Sequence, residues 1–198
     1  MTLSRARLRA LSEARKRPEA RRLGQLDAAM QRVLLDFYDA HRDRNILESA
    51  LESRRDRELD VEGVAYLSEA YAQIELQGLK PGGDPGIRED YTDDLAPPLM
   101  ARLMSMVGSC YRSRISTLQP GGVIPQHVDD PSQIRVISVL RGSHHFVLLG
   151  RDGARDIPMR LGELWYVNTA WPHSVENPGK VDRVALLLNL DQLGFSHA

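Results

Sequence analysis

Cysteine is almost missing from this chain of 198 residues, which carries only Cys110. A lone thiol excludes an internal disulfide framework and fits a reducing cytosol, and Cys110 is expected to sit as a small buried hydrophobe. Long apolar runs are missing too: none approaches the ~20 residues that a membrane-spanning helix needs. The Arg-rich start is not followed by an uninterrupted apolar stretch, so no secretory signal peptide is expected and the protein is placed in the cytoplasm. Neither sign of charge is in excess, with 26 Lys and Arg against 27 Asp and Glu. A surface that tracks phosphates carries a basic excess, so neither nucleic acid nor a membrane is expected as a partner. Internal repeats and low-complexity tracts are absent. The length suits one substantial core with an appendage rather than two independent domains.

What is present divides by period. Over residues 3–57 apolar residues recur at three and four, with Leu26, Met30, Leu34 and Phe37 forming one stripe, and the pattern predicts helices. Asn45 is a candidate cap for a second helix carrying Ile46, Leu47 and Leu51, and Asp60 opens a shorter one through Val64 and Leu67. The basic run that includes Arg5, Arg9, Arg17, Arg21 and Arg22 reads as a solvated helix face. Residues 72–76 look extended, Pro81-Gly82-Gly83-Asp84-Pro85-Gly86 is a loop, and 97–106 returns to helix.

From Tyr111 onward the texture changes to short β-type runs punctuated by Gly, Pro and Asp. Strands are expected over 111–118, 124–127, 134–140, 144–149, 155–159, 163–167, 173–176 and 183–190. Eight short strands at close spacing predict a double-sheet jelly roll, a mainly β fold with helices. The expected organisation is an α-helical N-terminal segment over 1–59 and a barrel domain over 60–198, with oligomerisation through the N-terminal helices open.

The chemistry concentrates in His127-Val128-Asp129 and in His173. Residues two apart on an extended segment point to the same side, so His127 and Asp129 would present an imidazole and a carboxylate to one pocket. His173 from a distant strand would complete a two-histidine, one-carboxylate facial set with open metal positions, as non-haem Fe(II) oxygen chemistry requires. The competing reading is a surface turn in which Asp129 caps the backbone ahead of Asp130-Pro131. Pro120-Gly121-Gly122 supplies a tight turn just before the pair, and Gly162-Glu163-Leu164-Trp165 precedes the β-rich His173-Ser174-Val175-Glu176-Asn177.

These pieces, with Arg114-Ile115-Ser116-Thr117-Leu118-Gln119-Pro120-Gly121 before them and Arg183 after, occur in an order that resembles one known group. It is the aspartyl/asparaginyl β-hydroxylase-like branch of the Fe(II)/2-oxoglutarate-dependent dioxygenases, which includes proline hydroxylases. The resemblance spans about 112–191, the whole expected barrel. It implies a double-stranded β-helix (a cupin-like barrel), Fe(II), 2-oxoglutarate and O2 as cofactor and co-substrates, and hydroxylation of an amino acid or an amino-acid residue in a peptide. Carried over, His127, Asp129 and His173 look like the iron ligands. Arg183 looks like the partner of the distal carboxylate of 2-oxoglutarate, assisted by Ser116, and Arg135 aligns with an arginine near the metal-bound end of that co-substrate. Some animal members lack the carboxylate ligand that Asp129 provides here. The family's histidine two places beyond the Arg135 position is Ile137 in this chain.

A physical argument for Arg183 stands apart from the resemblance. Its strand is almost wholly apolar after the arginine, and a buried guanidinium needs an anion. That anion is either a bidentate ligand carboxylate or a protein carboxylate such as Asp182 or Glu163. Arg112, Arg114 and Ser116 share one parity, so Arg114 either faces inward and holds the primary substrate or sits in solvent at the sheet edge. His144 and His145 alternate across their strand, and a triad complete with three groups leaves both outside the ligand set. Trp165 and Trp171 read as core and rim packing, and Asn177 as the closure of the turn after His173. Two other functional readings stay open. One is a metal-binding cupin enzyme that does not use 2-oxoglutarate, although the usual His-x-His pair does not appear. The other is a non-enzymatic small-molecule sensor on the same barrel, with the helices as output module.

Overall fold

The computed structural model describes residues 19–42, 71–84, 87–129 and 135–190. Asp27 starts the first helix, α1 (Ala28–His41), by accepting the Met30 amide at 2.6 Å, the standard N-cap bond. The expected stripe then faces inward: Leu26, Met30 and Leu34 are buried and Phe37 packs beside them. The second helix, α2 (Pro97–Val107), opens with two prolines, whose missing N–H groups cost nothing in a first turn. It ends at Gly108, whose φ of 83° suits glycine. Arg102 on α2 pairs with Asp27 at 3.2 Å, tying the two helices together.

The protein is mainly β. The strands are β1 (Ala20–Gln25), β2 (Tyr71–Glu75), β3 (Gly78–Leu79), β4 (Tyr91–Thr92), β5 (Cys110–Leu118), β6 (Val123–His127), β7 (Arg135–Arg141), β8 (His145–Gly150), β9 (Gly153–Asp156), β10 (Glu163–Val167), β11 (His173–Glu176) and β12 (Arg183–Leu190). A six-stranded sheet runs β1-β10-β7-β12-β5-β2, a four-stranded sheet β6-β11-β8-β9, and β3 pairs with β4. Every described pairing is antiparallel.

Strand parity divides the large sheet into two faces. One face carries Ile115, Val136, Leu164 and Leu186 against Met30, Leu34, Met100 and Leu103 of the helices. The other carries Leu118, Ile137, Val167 and Leu187, which meet Phe146, Leu148 and Val175 of the small sheet. β12 is buried along its whole length, which explains its nearly continuous apolar run. The polar residues of the second face, Ser116, Arg114, Arg183 and Arg135, therefore have no solvent of their own to turn to.

Four of the eight strands expected after residue 110 shift by one residue, and those over 163–167, 173–176 and 183–190 match. The helix over 97–106 gains one residue and the strand over 72–76 becomes β2, but β9 begins earlier, at Gly153. One expectation is corrected. Residues 20–25, assigned to helix, form β1 at the edge of the large sheet, paired with β10. Pairing with an open strand edge outweighs a weak helical propensity, and Arg22 extends from that edge to Glu163 at 2.8 Å. The Asn45 and Asp60 helices, most of the basic run and the boundary near residue 59 lie outside the described residues.

Candidate active site

The register of the small sheet brings the candidate metal ligands together. His173 on β11 is the direct Cα partner of His127 on β6 and, across its other edge, of Leu148 on β8. Opposed positions share a face, so both imidazoles point toward the large sheet, with ring centroids 4.2 Å apart. Asp129, just past the end of β6, is anchored by its amide donating to the Thr169 carbonyl at 2.9 Å. Ligand atoms of His127, Asp129 and His173 all lie within 4.8 Å of one another. Sequence alone left Asp129 between ligand and turn cap; the fold brings the three together.

Two hydrogen bonds orient the ring nitrogens for metal. His127 Nδ1 lies 2.8 Å from the Pro125 carbonyl, and His173 Nδ1 lies 3.0 Å from the Trp171 carbonyl. A carbonyl only accepts, so each Nδ1 carries the proton and each Nε2 keeps its lone pair for a metal. Asp129 divides its two oxygens: Oδ2 takes the Arg135 guanidinium at 3.1 Å, and Oδ1 stands 3.8 Å from His127 Nε2. Burial works against the Asp129 charge, but Arg135 and the two histidines outweigh it and hold the carboxyl well below the usual range. Burial, and then His127 beside it, lower His173 to about 4, so it is a neutral donor at physiological pH. These are the protonation states a divalent cation needs.

Arg183 opens β12 opposite Leu118, on the face of the large sheet that meets the small one. It is 2% exposed, and burial lowers it to about 10, which leaves it charged. Its Nε donates to His144 Nδ1 at 3.1 Å, and its Nη1 reaches Ser116 Oγ at 3.4 Å. The protein carboxylates considered for it do not serve: Glu163 is engaged by Arg22 and by the Trp165 indole, and among the described residues no carboxylate forms an ion pair with Arg183. A buried cation held only by neutral groups is a site for an anion.

His144, which sequence reasoning set outside the metal-ligand set, stays outside it and stands instead beside Arg183. His144 precedes β8 instead of lying within it, so strand alternation does not govern it. Gly142, at φ 83°, brings this turn onto the start of β12: a Cβ there would meet the Asp182 carbonyl oxygen at 2.5 Å and Arg183 Cα at 2.9 Å. His144 accepts at Nδ1 and so carries its proton on Nε2, which is buried with no partner. Burial, and then Arg183, push it down to about 2, so it is a neutral donor. The signal was the glycine two residues before it.

The third part of the inter-sheet space lies toward the far end of β5 and β12. Arg114 is buried at 4% exposure and faces inward, which settles its orientation. The adjacent bulge leaves Arg112 with a φ of 48°, a left-handed conformation that costs an L-residue about 1–2 kcal/mol. Bulges of this kind re-aim side chains beside active sites, and the Arg112 carbonyl accepts from Arg114 Nη1 at 2.9 Å. Glu75 and Asn189, not singled out from the sequence, face the same space. Trp165 and Trp171 pack against the inter-sheet core, and Asn177 closes its turn by bonding Gly179, Leu118 and Val181, as expected.

Three potential metal donors, a buried arginine without a carboxylate partner among the described residues, and a second set of polar groups thus face the space between two antiparallel sheets. A family model for aspartyl/asparaginyl β-hydroxylase matches residues 86–192, which contain every one of these groups except Glu75. The chain belongs to that family and is an enzyme of the hydroxylase type. Among solved structures it is similar to an oxidoreductase of the 2OG-Fe(II) oxygenase family from Burkholderia pseudomallei, at 14% identity and a TM-score of 0.46 over 61% of this chain and 68% of that one. It is also similar to the Lactobacillus farciminis oxalate decarboxylase formate complex, at 15% identity and a TM-score of 0.42 over 63% of this chain and 30% of that one. A Bacillus subtilis oxalate decarboxylase matches at 27% identity and a TM-score of 0.36 over 40% of this chain and 21% of that one. The chain thus spans less than a third of the length of either decarboxylase. No curated protein matches.

Proposed function

We propose that this protein is an Fe(II)/2-oxoglutarate-dependent dioxygenase that hydroxylates an unactivated C–H bond of an amino acid or an amino-acid residue in a peptide. The observation that carries the reading is the pairing of a donor set, both Nδ1 atoms tied to carbonyls, with a buried arginine that has no carboxylate partner among the described residues. His127, Asp129 and His173 would hold the iron. Its chemistry, when bound, is the coupling of C–H hydroxylation to oxidative decarboxylation: substrate, O2 and 2-oxoglutarate give hydroxylated substrate, succinate and carbon dioxide.

The residues of the chain divide the remaining work. Arg183 binds the distal carboxylate of 2-oxoglutarate bidentately, assisted by Ser116, whose hydroxyl accepts from Arg183 and donates to the Ala185 carbonyl, while the Nε2–H of His144 donates to the same carboxylate. Arg135 fixes the Asp129 carboxylate and keeps it ionised, close to the metal-bound end of the co-substrate. Arg114 holds the primary substrate. Phe146, stacked on His173 with centroids 5.4 Å apart, walls the centre from water.

The two facing sheets, with β10-β7-β12-β5 opposite β6-β11-β8-β9, support a double-stranded β-helix. The free, buried Cys110 supports a cytoplasmic setting. The testing experiment is a screen of the iron-loaded protein with 2-oxoglutarate against free amino acids and peptides. The expected result is succinate release together with a substrate mass gain of one oxygen atom; metal binding with no 2-oxoglutarate consumption for any substrate would refute the proposal.

A further inference from the structure

The recess beyond Arg114 carries an unusual set of buried groups. Glu75 on β2 is the direct Cα partner of Arg114 on β5, so the two side chains leave neighbouring strands on the same face. Opposite charges placed this way in a buried sheet ordinarily join. Here they do not: Arg114 turns its Nη1 to the Arg112 carbonyl and leaves Nε buried without a partner, and Glu75 Oε2 is likewise buried without one. Asn189, paired in register with Tyr111 and Arg135, is wholly buried with both amide atoms unsatisfied. Tyr91 and Tyr111 close the end of the recess, with ring centroids 6.0 Å apart. A native interior leaves few polar groups unpaired, and a cation, an anion and an amide together are a complementary surface for a missing molecule.

Resting on the dioxygenase reading, we propose that this recess binds the zwitterionic head of a free α-amino acid, with its carboxylate on Arg114 and its ammonium on Glu75. The Asn189 side-chain amide, a donor and an acceptor at once, bridges the two poles. The two charges of an α-amino acid are held on one carbon, matching a cation and an anion that start from adjacent strands about 5 Å apart. Arg114 supplies the donors a carboxylate needs, and the buried Oε2 of the half-buried Glu75 supplies the counter-charge for an ammonium. A residue inside a peptide has neither charge. Binding one would strand a buried guanidinium and a buried carboxyl, the kind of mismatch that rejects analogues most strongly. Burial raises the Glu75 carboxyl despite the arginines nearby, as fits a group that becomes fully ionised when its cation arrives. The head group so placed leaves the side chain of the substrate to extend along the chamber toward the metal ligands.

The test is calorimetry on the full chain loaded with Fe(II) and 2-oxoglutarate under nitrogen. The probes are the twenty L-amino acids, each as the free acid, the N-acetyl derivative and the C-terminal amide. The expected result is that at least one free amino acid binds, and that both capped forms of it bind about tenfold or more weaker, the loss of one charged hydrogen-bonded contact. Glu75→Gln is expected to close the gap between free and N-acetyl forms while keeping the gap to the amide, and Arg114→Met to do the reverse. A capped form that binds wild-type protein as well as the free acid would overturn the proposal without need of a variant. So would binding of 2-oxoglutarate with no free amino acid bound, or variants that weaken all three forms equally. Failure to bind 2-oxoglutarate at all would instead remove the dioxygenase reading beneath it.

Discussion

Arg183 combines full burial, a formal charge and purely neutral partners, a combination that folding alone does not favour. Arg183→Ala is expected to weaken 2-oxoglutarate binding by a few kcal/mol while iron binding changes little. Calorimetric titration of the metal-loaded variant checks this, and equal loss of both ligands would mean a folding defect. His127→Ala removes a half-exposed donor on a strand end, so iron retention, read by metal analysis after desalting, is expected to vanish with the melting transition preserved. His144 adds a pH signature. It is held at about 2 in the folded chain against an ordinary 6.5, so between those values only the unfolded chain takes up its proton. Stability contributed by neutral His144 is therefore complete above about pH 6.5 and is lost as pH falls, at about 1.4 kcal/mol per pH unit for one proton. Urea denaturation of metal-free His144→Gln between about pH 6.5 and 4.5 is expected to show a slope shallower than wild type by that amount.

At the scale of elements, the turn between β7 and β8 is what joins His144 to Arg183, and Gly142 permits the approach. Gly142→Ala adds a Cβ against β12 in a positive-φ position, at a cost of ~1 kcal/mol or more. The expected result is a lower melting temperature with weakened 2-oxoglutarate affinity and unchanged iron content. The same element shows where sequence reading succeeds and fails. The strands β10, β11 and β12 were legible because their apolar period comes from burial, which a residue pattern records directly. β1 was not, because its six residues are mostly exposed and take their conformation from β10, far along the chain. The contact of His144 with Arg183 was not legible for a related reason: β8 begins one residue later than expected, so turn geometry and not strand parity places that ring.

Over the molecule as a whole, the convergence of His127, Asp129 and His173 was readable from a His-x-Asp spacing and the order of motifs, since residues two apart stay neighbours even where the strand ends between them. Glu75 and Asn189 were not readable, because nothing in a local stretch reveals that a side chain is buried without a partner; only the assembled sheets do. The two sheets bring three potential metal donors and a buried arginine to one inter-sheet space, where the proposed 2-oxoglutarate would meet both. The most direct measurement is 2-oxoglutarate binding to wild type and Arg183→Ala, each with and without Fe(II), under nitrogen. The account predicts tight binding only where metal and arginine are both present, with either loss weakening it. Iron bound by His127, Asp129 and His173 with no measurable 2-oxoglutarate affinity in the wild type would contradict it.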